Sequence, residues 1–301
     1  MYAPSPSSLS VSTPLKRRNF LAACASFAAS GGSFAHAATK LPEAMSFGLV
    51  TYQWAKNWDL PTLIANCETA GIGAVELRST HAHGVEPELS KTERDEVRRR
   101  FADSSVTCVG PGSDERFDSP DPEKLRAAIE RTKAFLQLSH DIGSSGVKVK
   151  PDRFWPDVPE EKTIAQIAAS LREVADFAKN LGQQVRLEVH GQLAAPTTIV
   201  EVMKACDHPQ ARLCWNCNPQ DLETGEGFES NLRLALPWFG DTVHVHELDG
   251  SWKPYPYDQL FRTLKESGYK GWCLLETSTT PKDTVAALKA QQAMFDAFLS
   301  R

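Results

Sequence analysis

Beyond its first forty residues the chain has no long apolar run, no glycine-rich phosphate cradle and no excess of base. Without about twenty consecutive apolar residues, no later segment reads as a membrane span. Neither G-x-G-x-x-G nor a P-loop occurs, which argues against a doubly wound dinucleotide-binding sheet. A net charge of −5 over 301 residues gives no broad basic face and excludes nucleic acid as an expected partner. No composition break or long linker marks a second domain. Acid is missing from one place only: residues 1–37 carry no Asp or Glu, and their bases are Lys16, Arg17 and Arg18.

That acid-free segment has the parts of an export signal. The bases are followed by the small, weakly apolar run "NFLAACASFAASGGSF" and then by Ala35-His36-Ala37, an A-x-A cleavage pattern. The "KRRNFLA" junction resembles a twin-arginine signal. A lipid-attachment box at Cys24 would leave five residues after Arg18, too few for a signal core. Residues 1–37 are therefore expected to be an export signal, 38–45 a linker and 46–301 a soluble periplasmic domain. Removing the signal leaves 30 bases against 38 acids, a charge of −8. Six cysteines remain, including Cys214 and Cys217 of "LCWNCNPQD". A domain this large needs no staples, so buried thiols are expected. Three residues apart on a strand, Cys214 and Cys217 face opposite ways and do not form a dithiol.

From Phe47 onward, short apolar runs alternate with amphipathic helical stretches. The predicted strands are 47–54, 74–79, 106–112, 146–151, 184–191, 212–219, 242–249 and 272–278. Between them, Ser90 and Glu93 form a capping box, Gly71 or Gly73 ends the first helix, and residues 159–182 carry one apolar stripe. Eight strand–helix units over about 255 residues predict a single-domain α/β fold, a (β/α)8 TIM barrel.

The strands have two chemically different faces. Val185, Leu187 and Val189 oppose Arg186, Glu188 and His190; Val147 and Val149 oppose Lys148 and Lys150; Val75 and Leu77 oppose Glu76 and Arg78; Val243 and Val245 oppose His244 and His246. In a barrel the outer face lies under helices, so the charged face must point inward, where charges have to pair, bind metal or line a wet pocket. Glu188, His190, His246 and Glu276 all fall at C-terminal strand ends, where active sites of this fold lie. Two carboxylates and an imidazole at one rim suit a divalent ion.

With "AVELR", Glu188-x-His190-Gly191, "VHVHELD", "LKESGYKGW" and "LLET" in this order, the chain from about Phe47 to its C-terminus resembles the xylose-isomerase-like barrels, in particular their sugar-phosphate isomerase/epimerase branch. The resemblance implies a divalent metal, Mn, Mg, Co or Zn, held by Glu188, Asn216, His246 and Glu276. It also implies that Glu188 and Glu276 shuttle a proton between adjacent carbons of a keto sugar. Two departures stand out. Asn216 occupies a position where relatives carry aspartate, which removes one negative charge. Leu248 replaces a lysine, with Asp249 retained. Lys148, Lys150, Glu76, Arg78, His190, Asn218 and Asp249 are the expected substrate-binding residues.

The expected activity is isomerisation or epimerisation of a small carbohydrate through an enediolate. A lyase or dehydratase acting through the same enediolate and a non-catalytic carbohydrate-binding barrel are the alternatives; an abasic-site nuclease fits neither the charge nor the export signal. A homo-oligomer is compatible with all of these. The aromatic segments 152–161 and 250–258 follow strands four and seven, placed to stack on a sugar ring or simply to pack as loops.

Overall fold

The computed structural model describes residues 41–301. The expected export signal lies outside the described residues. Eight parallel strands close a barrel in chain order: β1 (Ser46–Val50), β2 (Ala74–Arg78), β3 (Thr107–Arg116), β4 (Gly146–Lys150), β5 (Gln184–Glu188), β6 (Ala211–Asn216), β7 (Phe239–Val245) and β8 (Trp272–Leu275). Ser46 of β1 pairs with Trp272 of β8 and completes the ring. The intervening helices are α1 (Leu60–Ala70), α2 (Lys91–Ala102), α3 (Pro122–Asp141), α4 (Glu160–Asn180), α5 (Pro196–Cys206), α6 (Gln220–Glu223), α7 (Phe228–Ala235), α8 (Tyr257–Glu266) and α9 (Thr284–Leu299). This is the expected TIM barrel. Among the described residues, no helix is long and apolar enough to cross a membrane.

Local signals set the helix ends. Ser90 and Glu93 cap α2 reciprocally, and Gly71 ends α1 at φ 76°, a conformation that glycine adopts without steric cost. In α4, Ile167, Ala168, Leu171, Val174, Ala175 and Ala178 form the buried stripe against the sheet. The outward strand residues Val147, Val149, Val185, Leu187, Val189, Val243 and Val245 are buried beneath these helices. Their alternates point into the barrel, so its interior is largely polar. Cys67, Cys108, Cys206, Cys214, Cys217 and Cys273 are buried free thiols.

Arg186 closes the N-terminal end of the barrel. Its guanidinium donates to Val109 O at 3.1 Å and Gln184 Oε1 at 3.1 Å, meets Asp241 Oδ2 at 3.2 Å, and also donates to Ser145 Oγ. With its charge and four of its five donors spent there, Arg186 serves the fold.

A second buried carboxyl anchors the loop after β6. Asp221 is fully buried; its Oδ2 accepts from Tyr255 Oη at 2.6 Å and from the Asn218 amide at 2.8 Å, while Oδ1 has no partner. Burial pushes this carboxyl up to about 7, although the two donors work in the opposite direction. A folded-state value above the ordinary aspartate value means that the folded chain binds the extra proton between them. Stability is then fully present below the ordinary value and is lost as pH rises through about 7. Unfolding free energy, measured in urea, should fall across pH 5–7 with a slope of up to about 1.4 kcal/mol per pH unit from this group. Asp221→Asn should remove that component; an unchanged slope would show that Asp221 is not its source.

Candidate functional site

The C-terminal half of the barrel interior holds carboxyl groups from β2, β5 and the end of β8, facing cationic groups from β2, β4 and β7. Glu188, the last residue of β5, is fully buried and both its oxygens are engaged. Lys148 Nζ lies 2.8 Å from Oε2, and Asn216 Nδ2 donates to Oε1 at 2.9 Å. Glu276, one residue beyond β8, is held more loosely. Asn216 Nδ2 is 3.5 Å from its Oε2, and Arg78 is 3.9 Å from its Oε1. His244 lies between them, with Nδ1 3.5 Å from Glu188 and 3.7 Å from Glu276, and Nε2 3.3 Å from Glu76.

Neighbouring glycines make room for this packing. A Cβ on Gly112 would stand 2.6 Å from Glu76 Oε1, so the carboxyl rests against a bare α-carbon of β3. Glu247 fixes the rim above: its Oε1 accepts from Ser278 N at 2.8 Å, Thr279 N at 2.7 Å and Thr279 Oγ1 at 2.6 Å. These bonds hold the loop that follows Glu276.

The groups tune one another. Burial alone would raise the Glu188 carboxyl, but the Lys148 ammonium and His244 hold it well below the usual carboxylate range. Burial and the neighbouring Glu188 charge push Glu276 up, while His244 and Lys148 pull it further down, to about 2. Burial opposes the charge on Lys148, and Glu188 more than restores it. Burial likewise opposes charge on His244, whereas Cys214, Glu76 and Glu188 hold its imidazolium form well above the usual histidine range. Both catalytic candidates, Glu188 and Glu276, are thus carboxylates at neutral pH.

The structure brings together Glu76, Arg78, Lys148, Glu188, Asn216 and Glu276 of the expected site residues, and leaves others at its edge. His190 is half-exposed, with Nδ1 2.6 Å from Asp152. Lys150 pairs with Asp114 at 3.2 Å. Asn218 spends its amide on the backbone oxygens of Val189 at 2.6 Å and Asn216 at 2.7 Å, so it braces the β5–β6 rim. Asp249 is exposed and accepts from Ser251 N at 2.9 Å. The imidazole between the two glutamates belongs to His244, whereas His246 lies beyond the end of β7. There its Nδ1 meets Glu276 O at 2.7 Å and its ring packs 4.1 Å from Trp252. Alternation in "VHVH" puts both histidines on one face; only the strand end at Val245 separates their environments.

The cluster fits the donor set of a divalent ion. One ligand atom each from Glu188, His244 and Glu276 lies within 4.8 Å of the other two. The buried Asn216 Oδ1 has no hydrogen-bond partner, and neither ring nitrogen of His244 has one. Half a turn of the Asn216 amide would present Oδ1 where Nδ2 now faces the carboxylates. Two carboxylates, an imidazole that has given up its second proton and an amide oxygen are suitable ligands for such an ion.

Comparison with known proteins agrees with this fold. The xylose isomerase-like TIM barrel family matches residues 64–297. A structure of L-ribulose 3-epimerase is similar at TM-score 0.72 and 17% identity, covering 85% of this chain and 95% of that one. The apo form of 3-keto-D-glucoside 4-epimerase from E. coli is similar at TM-score 0.71 and 14% identity, covering 84% and 99%. The IOLI protein with a bound zinc atom is similar at TM-score 0.68 and 15% identity, covering 85% and 98%.

The Lys148–Glu188 pair yields a direct stability test. Lys148→Met leaves Glu188 buried without its counter-charge and should cost about 3–5 kcal/mol in urea unfolding at neutral pH. The double variant Lys148→Met/Glu188→Gln should recover much of that loss. Additive losses in the double-mutant cycle would show that the two side chains are not coupled.

Proposed function

The chain belongs to the xylose isomerase-like TIM barrel family, and we propose that it is a sugar isomerase or epimerase that abstracts a proton from a carbon next to a carbonyl. The observation that carries this reading is the pair of ionised carboxylates, Glu188 at the end of β5 and Glu276 just past β8, brought to one imidazole and one amide. That similar structures are an L-ribulose 3-epimerase and a 3-keto-D-glucoside 4-epimerase supports a keto sugar or keto-glycoside as substrate.

The two carboxylates are not equivalent. Both Glu188 oxygens already accept bonds of 2.8–2.9 Å, whereas among the described residues the Glu276 carboxylate makes no polar contact shorter than 3.5 Å. Glu276 is also the more accessible of the two. It is therefore the group that first takes the substrate proton, leaving an enediolate. Returned by Glu276 to the adjacent carbon, that proton completes an isomerisation. An epimerisation requires Glu188 first to take a proton from the Lys148 ammonium and then to deliver it to the opposite face of the carbon, while Glu276 keeps the proton it removed until it passes it to solvent. Arg78 and Lys148 supply positive charge beside the developing oxyanion. A divalent ion held by Glu188, His244, Glu276 and Asn216 would polarise the carbonyl and hydroxyl oxygens of the sugar.

Incubation of keto sugars in deuterated water, followed by NMR, tests the reaction. Deuterium should enter at one carbon without net elimination, and Glu276→Gln should slow its entry by about 10²–10⁴-fold. Loss of a β-substituent would instead identify a lyase, and no exchange with any sugar would leave a binding protein.

The ion itself is tested through Asn216. Asn216→Asp adds a carboxylate beside Glu188, so the metal-free variant should unfold at lower temperature than the parent. Added Mn²⁺ should raise its Tm more than it raises the parent's, with at least about tenfold tighter binding by calorimetry. Equal Mn²⁺ affinities would remove Asn216 from the ligand set.

A further inference from the structure

A cavity of about 340 Å³ lies beside the carboxylate cluster, between the loop after β6 and the loop joining β7 to α8. Its volume falls in the range of small-molecule sites, about 300–1,000 Å³. The aromatic residues Trp252, Tyr255 and Tyr257 form much of its wall, which Leu222 also lines, with Glu223 and Lys253 among its charged members.

This wall is organised in advance. Trp252 packs against His246 with ring centroids 4.1 Å apart and carries the Lys253 ammonium 4.5 Å from its ring centroid. Tyr255 uses its hydroxyl on Asp221 at 2.6 Å and on Trp215 Nε1 at 3.3 Å. The Tyr257 hydroxyl accepts the His246 backbone N–H at 3.0 Å. With both hydroxyls engaged away from a ligand, the tyrosines offer carbon surface to the cavity. Glu223 and Lys253 are exposed and can meet polar substituents on a ligand.

His246 links the cavity to the cluster. It lines the cavity beside Trp252, and its Nδ1 lies 2.7 Å from the backbone oxygen of Glu276. A ligand filling the cavity therefore stands one imidazole away from the residue placed above as the first base. We propose that the cavity receives the second ring of a glycoside, an apolar-faced ring with polar edges, whose keto-sugar ring lies over Glu276. The substrate class is then a glycoside and not a free ketose. This inference rests on the sugar-isomerase reading for the identity of the first ring, while the cavity's preference for a second ring is measured independently of turnover.

The readout is affinity by calorimetry, which stands whether or not deuterium exchange occurs. Phenyl and methyl 3-keto-β-D-glucopyranosides differ only in the second group, and a β-linked 3-keto disaccharide distinguishes a sugar from an aryl ring. The phenyl glycoside, the disaccharide or both should bind at least about tenfold more tightly than the methyl glycoside. Trp252→Ala opens the wall and Leu222→Trp fills the cavity from its exposed side; each should bring that ratio close to one. Equal affinities in the parent protein, or a ratio that neither variant changes, would overturn the proposal. A ratio that responds to both variants without any deuterium exchange would uphold the second-ring site and reject the isomerase.

Discussion

Charge balance inside a closed barrel is the constraint on which the rest of this structure depends. Glu76, Glu188 and Glu276 could not remain together in a water-poor interior without the Lys148 ammonium, the Arg78 guanidinium and the His244 imidazole among them. The 2.8 Å Lys148–Glu188 contact is the tightest link and joins neighbouring strands directly. Because each charge is held by another, the geometry of any one group depends on the rest. A site organised in this way is rigid before substrate arrives, as electrostatic catalysis requires.

The barrel divides this interior by task. At the N-terminal end, Arg186 commits four of its five donors to Val109, Gln184, Ser145 and Asp241. Toward the C-terminal end the partners become fewer, until the Glu276 carboxylate meets only long contacts among the described residues. The increasing freedom of the charges along the barrel axis separates residues that hold the fold from those that can exchange partners with a substrate. The orphaned Asn216 oxygen lies at the open end of that gradient.

Much of this was legible in the sequence, because a strand's two-residue period exposes its facing chemistry. "VRLEVH" and "GVKVK" placed Glu188 and Lys148 inside the barrel, and eight strand–helix repeats implied its closure. Periodicity stops at strand ends, however, and the rim is built there. His244 and His246 look equivalent in "VHVHELD", yet one lies within the cluster and the other turns toward Trp252. Asn218 continues the alternation of "WNCN" on paper, but its amide serves the backbone. The aromatic segment 250–258 was legible as a loop that stacks on a sugar or simply packs, but its meeting with the loop after β6 was not, since that depends on a tyrosine hydroxyl and a buried aspartate.

The pairing of Ser46 with Trp272 has a kinetic consequence. The two strands that seal the ring lie near opposite ends of the domain, so the seam cannot form until the last strand is available. Until then β1 and β7 both present open edges, the arrangement most prone to wrong partners. Glu276 lies one residue beyond that last strand, and its amide donates to Val245 O at 2.8 Å. The proposed first base therefore reaches its place only when the last strand joins β7, which makes the docking of that strand the assembly step of the site.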